Sequence, residues 1–404
     1  MKSLQKPSKT KLVEELLTRA VEDVIDQKHI KKALLSGKKL RIKHGIDPTG
    51  PKIHLGRAAT LRKLKAFQDL GHKIVLIVGD FTALIGDPSD KLSKRPMLTP
   101  EKVQENMKNY KAQLGKILDL SKTEFHYNSK WLKKLDFMEI AQLAESFTVQ
   151  QMLARRSFSE RFKKKEEISL REFIYPLMQG YDSVAIKADV EVGGFDQLFN
   201  LKAGRTIQKH YGLQEQDLLT VQMLEGTDGR KMSTSWGNVI TIVDEPNDMF
   251  GKLMSVRDEL IGKYMLLCTD MSKDEIKKTE KDMKLGKLNP RDAKVWLARE
   301  VVTIYHGKPK ALKAEKEFLQ VFQKKELPTK IETKILPKKS YLLSDLLVLT
   351  NLAGSKSEAR RLIVQGGVGI DKEKQSDPDK KILLSSKTKL FQVGKRKFLK
   401  IRTK

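Results

Sequence analysis

The feature that most constrains this 404-residue chain is a rhythm of short apolar runs and helix-spaced segments. KIVLIVGD (73–80) is the clearest run: β-branched, bounded by polar residues, and too apolar for a strand with one solvated face. Ahead of it, AATLRKLKAFQDLGH sets Leu61, Leu64 and Phe67 on one helical face, with Gly71 as a stop. A short strand over Leu40–Ile46 precedes that helix, and further apolar runs stand at 124–128, 190–194 and 218–224. Strands alternating with helices predict a parallel sheet in a doubly wound α/β domain. Residues 1–40 read as amphipathic helix through Leu12, Leu16, Leu17, Ala20 and Val24. From Asp244 to about Lys324 helix follows helix, and the Lys/Pro-rich KKELPTKIETKILPKK reads as a linker.

Charge points to a partner. Lys and Arg number 79 against 51 Asp and Glu, a net charge of +28, and residues 341–404 alone carry 15 basic and 6 acidic side chains. An anionic partner such as nucleic acid suits this balance, as does a generally lysine-rich surface. No apolar stretch has signal-peptide or membrane-spanning length. The single cysteine, Cys268, forms no intramolecular disulfide or cysteine-rich metal cluster and fits a reducing cytoplasm. A chain of this length is expected to hold two or three domains.

Two polar loops carry the chemistry. HGIDPTGPKIHLGRA lies between the first strand and its helix, where a helix N-terminus presents free N–H groups to phosphate. GTDGRKMSTSWGN (226–238) is a Gly-rich, Lys-bearing loop beyond the last strand of the same domain. Each is weak alone. Together, in this order, they resemble the HIGH and KMSKS motifs of class I aminoacyl-tRNA synthetases. FIYPLMQGYDSVAI sets Tyr175, Gln179 and Asp182 on one helix face, GGFDQLFN adds Asp196 and Gln197, and FTALIGDPSDKLSKR (81–95) adds Thr82, Asp87, Lys91 and Arg95. These stretches resemble the tyrosyl-tRNA synthetase family, and Asn128 fits a further pocket position.

The resemblance implies a Rossmann-type catalytic domain over 1–240 with an insertion at about 130–170, a helical anticodon-binding domain over 241–324, a linker at 325–340 and an RNA-binding domain over 341–404. It implies that Asp87, Tyr175 and Gln179 hold the tyrosine ammonium, that Asp182 accepts a hydrogen bond from the phenol, and that Thr82, Asn128 and Gln197 complete the tyrosine set. Asp196 and Thr60 would face the ribose, with Gly56, Ser233 and Ser235 also on the ATP side. Thr49 and His54 would meet the ATP phosphates, while Lys91, Arg95 and Lys231 would reach the departing pyrophosphate. ATP is then a substrate accompanied by Mg²⁺ with no protein-bound metal, tRNA(Tyr) the second substrate, and a homodimer the expected assembly.

Several residues depart from the family pattern. Arg57 replaces the second HIGH histidine and joins the catalytic set by position. Thr234 replaces the second KMSKS lysine, with Arg230 as a possible substitute cation. Asp90 replaces a glycine, Phe195 a smaller residue, and Lys43 or His44 stands where one branch offers a tyrosine to the phenol. The tail NLAGSKSEARRLIVQGGVGIDKEK reads as a capping box at Ser355 and Glu358, a basic helix, and a Gly366-Gly367 turn into a strand. It resembles the small RNA-binding domain typified by ribosomal protein S-four, which implies RNA contact by Lys356, Arg360 and Arg361. ARRSFSERFKKKEE (154–167) reads as a solvated insertion. The rival readings are a tryptophanyl-tRNA synthetase and a non-catalytic RNA-binding paralogue.

Overall fold

The computed structural model describes residues 7–87, 98–232, 236–323, 331–385, 388–394 and 397–403. The chain divides into two compact units, Met1–Asp244 with Ser255–Tyr305, and Glu245–Met254 with His306–Lys404.

The first unit is built on a six-stranded sheet of β1 (Val21–Ile25), β2 (Arg41–Ile46), β3 (Lys73–Val78), β4 (Thr123–Tyr127), β5 (Val190–Gly194) and β6 (Asp217–Val221). Their spatial order is β1-β6-β5-β2-β3-β4. Every pairing is parallel except β1 with β6. The strand order reverses between β2 and β5, and such a switch opens a crevice at the strands' carboxyl ends. The apolar runs predict β3, β4, β5 and β6 closely. The 1–40 reading needs correction: β1 separates helices Lys9–Thr18 and Gln27–Leu35. VEDVI has only a partly buried edge position to fill, so it lacks the apolar density that marks the inner strands.

Helix Leu55–Asp69 follows β2 and packs on β3, β5 and β6 through Leu61, Leu64 and Phe67, each at most 1% exposed. Helix Leu170–Ile186 pairs along its length with Leu198–His210. Gly180 makes this possible, since a Cβ there would sit 2.4 Å from Ile207 Cδ1 and 3.2 Å from the Ala203 backbone. Four short helices between Ser129 and Lys163 form the insertion after β4. It is not simply solvated: Arg155 and Phe158 are 6% and 0% exposed, and the Arg155 guanidinium lies over the rings of Phe158 and Phe199.

In the second unit, helix Pro246–Met254 packs on Lys308–Gln323, with Phe250 against Phe318. Its carboxyl-terminal part has a separate apolar core around Leu346, Leu347, Ile363, Phe391 and Ile401. Thr333–Leu336, within the expected linker, instead pairs parallel with Lys397–Thr403 and edges a five-stranded sheet. The basic helix is Lys356–Val364; Ser355 caps it through the Glu358 N–H, but the Glu358 carboxylate accepts from Gly354 rather than closing the box. Gly366, at φ +68°, turns the chain toward strand Val368–Ile370.

Candidate active site

The loop leaving β2 supplies the hub, Asp47. Its carboxylate accepts from Thr82 Oγ1 and Tyr175 OH, both at 2.8 Å. Burial raises this carboxyl from its ordinary value to about 6, with the two hydroxyl donors opposing the shift. Gly79 leaves room for the hub, because a Cβ there would fall 1.9 Å from Asp47 Oδ1. Sequence reasoning missed Asp47; its place in the DPTG turn beside the first motif was the available signal.

A second carboxylate, Asp87, follows the short helix Thr82–Ile85 after β3. It accepts from Gln197 Nε2 at 2.6 Å, from Asn200 Nδ2 at 3.4 Å and from Arg155 Nη2 at 3.3 Å. Asp87 and Gln197, separated by 110 positions, are therefore brought together as expected. Arg155 and Asn200 are additions that no motif signalled.

The third carboxylate, Asp182, is 3% exposed on helix Leu170–Ile186. Trp131 Nε1 donates to it at 2.7 Å and Asn128 Nδ2 at 3.3 Å. Asn128, wholly buried, also donates to Thr82 Oγ1 at 3.0 Å and accepts from the Phe81 N–H at 3.1 Å. Burial raises the Asp182 carboxyl to about 7, opposed by Lys43, Trp131 and Asn128. One connected network thus links Tyr175, Asp47, Thr82, Asn128 and Asp182. Gln179, one turn from Tyr175, donates its side-chain amide to Glu191 at 3.2 Å.

The phosphate-side motifs also converge. His54 caps helix Leu55–Asp69, its Nδ1 accepting from the Arg57 N–H at 3.4 Å. The capping role and a phosphate-facing role are compatible, since Nε2 is not the capping atom. Gly56 leaves space already bounded by this cap: a Cβ would meet His54 Nδ1 at 3.1 Å and Met232 Sδ at 3.3 Å. Arg57 donates to Thr49 Oγ1 at 2.8 Å, Tyr110 OH at 2.9 Å and the Asp47 carbonyl at 3.3 Å. All three acceptors are neutral, and its positive charge also acts on the buried Asp47 carboxylate. Thr60, in the next turn, is 6% exposed. Leu55 N–H bonds to the Ile240 carbonyl and Ile242 N–H to that of Ile53, which ties the first motif to the chain just beyond the second.

Lys231 pairs with Asp196 at 3.4 Å, so the lysine of one motif meets the expected ribose-side acid. Arg230 is already engaged, bonding Asp228 Oδ2 through Nε and Nη2 at 2.8 and 2.6 Å and stacking 4.8 Å above Trp236. Arg230 is the residue expected to substitute for the lysine missing at Thr234. Asp90, Lys91, Arg95, Ser233, Thr234 and Ser235 lie outside the described residues. Phe195 is 42% exposed. Lys43, not His44, reaches helix Leu170–Ile186 by donating to the Gln179 carbonyl, while His44 Nδ1 bonds the Val192 carbonyl at 2.7 Å and burial lowers its pKa. In the tail, Lys356 pairs with Asp345 at 2.7 Å and Arg360 with Asp379 at 2.6 and 2.8 Å, whereas Arg361 is exposed. Among the described residues no group of three His, Cys, Asp or Glu is arranged to hold a metal, and no helix is long and apolar enough to cross a membrane.

Residues 35–323 match the family of class I tRNA synthetases (W and Y). The tyrosine–tRNA ligase of Thermotoga maritima is 48% identical over 388 residues, covering 96% of each chain. That of Carboxydothermus hydrogenoformans is 47% identical over 397 residues, 96% of this chain and 97% of its own. The solved tyrosyl-tRNA synthetase of Archaeoglobus fulgidus, complexed with L-tyrosine, superposes with a TM-score of 0.62 at 25% identity over 76% of this chain and 100% of that one. The tryptophanyl alternative falls away with these relatives. At nearly half identity along almost its whole length, this chain belongs to the class I tyrosyl-tRNA synthetases, the tyrosine–tRNA ligases.

Proposed function

We propose that the network joining Asp47 and Asp182, together with Asp87 beside it, is the tyrosine site. The observation that carries this is the pairing of Asp182, buried and held by Asn128 and Trp131, with a separate acidic group at Asp47 and Asp87. A phenol needs one acceptor and an ammonium needs several, so Asp182 takes the hydroxyl while Asp87, Gln179 and Tyr175 take the ammonium. Thr82, Asn128 and Gln197 hold these groups in place. The tyrosine carboxylate oxygen then attacks the α-phosphorus of ATP; the bond to the β-phosphate oxygen breaks and pyrophosphate leaves. In the second step the terminal ribose hydroxyl of the tRNA attacks the tyrosyl carbonyl, and AMP leaves.

Catalysis in the first step is positioning plus charge neutralisation. Thr49, His54 and Arg57 meet the phosphates, Gly56, Thr60 and Asp196 receive the nucleoside side, and Lys231 with Lys91 and Arg95 neutralises the leaving pyrophosphate. Ser233 and Ser235 belong to the same ATP-side set. Mg²⁺ enters with the nucleotide, bound to its phosphates.

The domain division given above, with Thr333–Leu336 moved from the linker into the last domain, the S-four-like tail and its RNA contacts through Lys356, Arg360 and Arg361 belong to the same reading. So does the homodimer, which is supported by strongly exposed apolar side chains: Phe137 at 88%, Leu170 at 78%, and Met138 and Phe162 at 65%. The test is ATP–pyrophosphate exchange with tyrosine, phenylalanine and tryptophan, beside Lys231→Ala. Exchange with tyrosine alone, lost in the variant, is expected. Folded protein that binds tRNA but exchanges with no amino acid would overturn the catalytic reading.

A further inference from the structure

Under the amino-acid network lies an ion pair that none of the steps above uses. Lys43 of β2 and Glu191, its register partner on β5, are 0% and 1% exposed, with Nζ and Oε1 3.0 Å apart. The ammonium also donates to the Gln179 carbonyl and to Ser183 Oγ, both at 2.7 Å, so each of its three N–H bonds has an acceptor. The carboxylate receives Gln179 Nε2 at 3.2 Å, Gln216 Nε2 at 2.5 Å and Ser183 Oγ at 3.3 Å. Gly204 lets helix Leu198–His210 cross this cluster, since a Cβ there would lie 2.5 Å from Gln216 Nε2 and 3.2 Å from Glu191 Oε2.

Desolvating two charges offsets most of what their attraction supplies, so stability alone gives little reason for such a pair. Its geometry gives a better one. A carboxylate only accepts hydrogen bonds, so Glu191 fixes the Gln179 side chain with its NH₂ inward. That leaves Gln179 Oε1 as the outward atom, an acceptor suited to an ammonium. Gln179 and Ser183 also bracket Asp182 on the helix, and Lys43 grips both.

We propose that the buried Lys43–Glu191 pair is a positioning element for tyrosine recognition, orienting the Gln179 amide toward the substrate ammonium and fixing the helical turn that aims Asp182 at the phenol. This rests on the amino-acid site proposed above. The charges around Asp182 agree with it: Lys43 is the cation that opposes the effect of burial, Glu191 acts in the other direction, Tyr175 lies near on the same helix, and Asn128 and Trp131 are neutral donors.

The test compares the wild type with Lys43→Met/Glu191→Gln, which removes both charges together, and with Ser183→Ala, a small change inside the cluster. In pyrophosphate exchange the double variant is expected to raise the KM for tyrosine by roughly tenfold or more, leave that for ATP within about twofold, and lower the preference for tyrosine over phenylalanine. Ser183→Ala removes the hydroxyl's bonds to both Lys43 and Glu191; it is expected to shift the tyrosine KM by about threefold or more in the same direction, and it decides the matter if the double variant does not fold. An unchanged tyrosine KM in folded variants overturns the inference, as does an equal loss for tyrosine and ATP, which a merely structural role would produce. Absence of tyrosine-dependent exchange in the wild type removes the activation reading and the inference with it.

Discussion

Replacing Asp182 with asparagine should make the protein more stable and a poorer catalyst at once. The side chain keeps its shape, and Trp131 Nε1, now 2.7 Å from a carboxylate oxygen, finds an amide oxygen instead. Burial holds the Asp182 carboxyl at about 7 against an ordinary 3.8. A gap of about three units corresponds to roughly 4 kcal/mol against the ionised form in the folded state. The new NH₂ would face the Asn128 amide nitrogen, which returns about 1–2 kcal/mol of that gain. The net expectation is about 2 kcal/mol of added stability at pH 8.5, a Tm rise on the order of 3–6 °C.

The sign follows from proton counting. Between pH 4 and 7 the folded wild type holds a proton on Asp182 that the unfolded chain has lost, so this residue's contribution to stability declines as pH rises through about 7. At pH 5 the advantage of Asp182→Asn should therefore close. Asp47 titrates near 6 in both proteins and cancels in the difference. Thermal melts at pH 5 and 8.5 measure the stability side. On the activity side, loss of a hydrogen bond to a charged acceptor is about 1.5–3 kcal/mol, so kcat/KM for tyrosine should fall roughly 10- to 150-fold. Phenylalanine, which has no phenol, should be little affected. A variant less stable at pH 8.5, or a stability gap independent of pH, would refute the reasoning.

Gly180→Ala should cost about 1–3 kcal/mol in chemical denaturation, because its Cβ meets Ile207 and the Ala203 backbone between two packed helices. Arg57→Ala should lower kcat for adenylate formation by roughly 10- to 100-fold in single-turnover assays, with the KM for tyrosine almost unchanged. If the proposed homodimer uses these exposed apolar side chains, Phe137→Asp combined with Leu170→Asp should yield a monomer in light scattering where the wild type is a dimer, with far-UV circular dichroism preserved. Arg360→Glu with Arg361→Glu should weaken tRNA binding and flatten its salt dependence by about two in the log–log slope, leaving tyrosine–ATP exchange intact.

The inner strands were legible because both of their faces are covered, which leaves runs such as KIVLIV. β1 was not, since its pattern of exposed and half-buried positions suits helix as well as strand. The Tyr175, Gln179 and Asp182 face was readable from spacing, as all three project from a single helix. Asp47, Arg155 and Glu191 were hidden for a common reason. Each acquires its meaning from partners far away in sequence, and a lone Asp, Arg or Glu in a charged chain carries no periodic signal. The run ARRSFSERFKKKEE looked solvated because its cations outnumber its apolar residues, although Arg155 and Phe158 turn inward.

The long spans within the pocket also bear on the order of folding. Lys43 finds its carbonyl acceptor 136 positions later, and Tyr175 closes on Asp47 across 128. Closing loops of this length precedes any reward from the contacts they allow, so such contacts form late. A growing chain cannot assemble the proposed tyrosine site until helix Leu170–Ile186 and β5 have docked. Charge removal at Lys43 and Glu191 should accordingly appear in the unfolding rate, with the folding rate nearly constant. Tyrosine added during refolding can then hold the finished molecule together without hastening its formation.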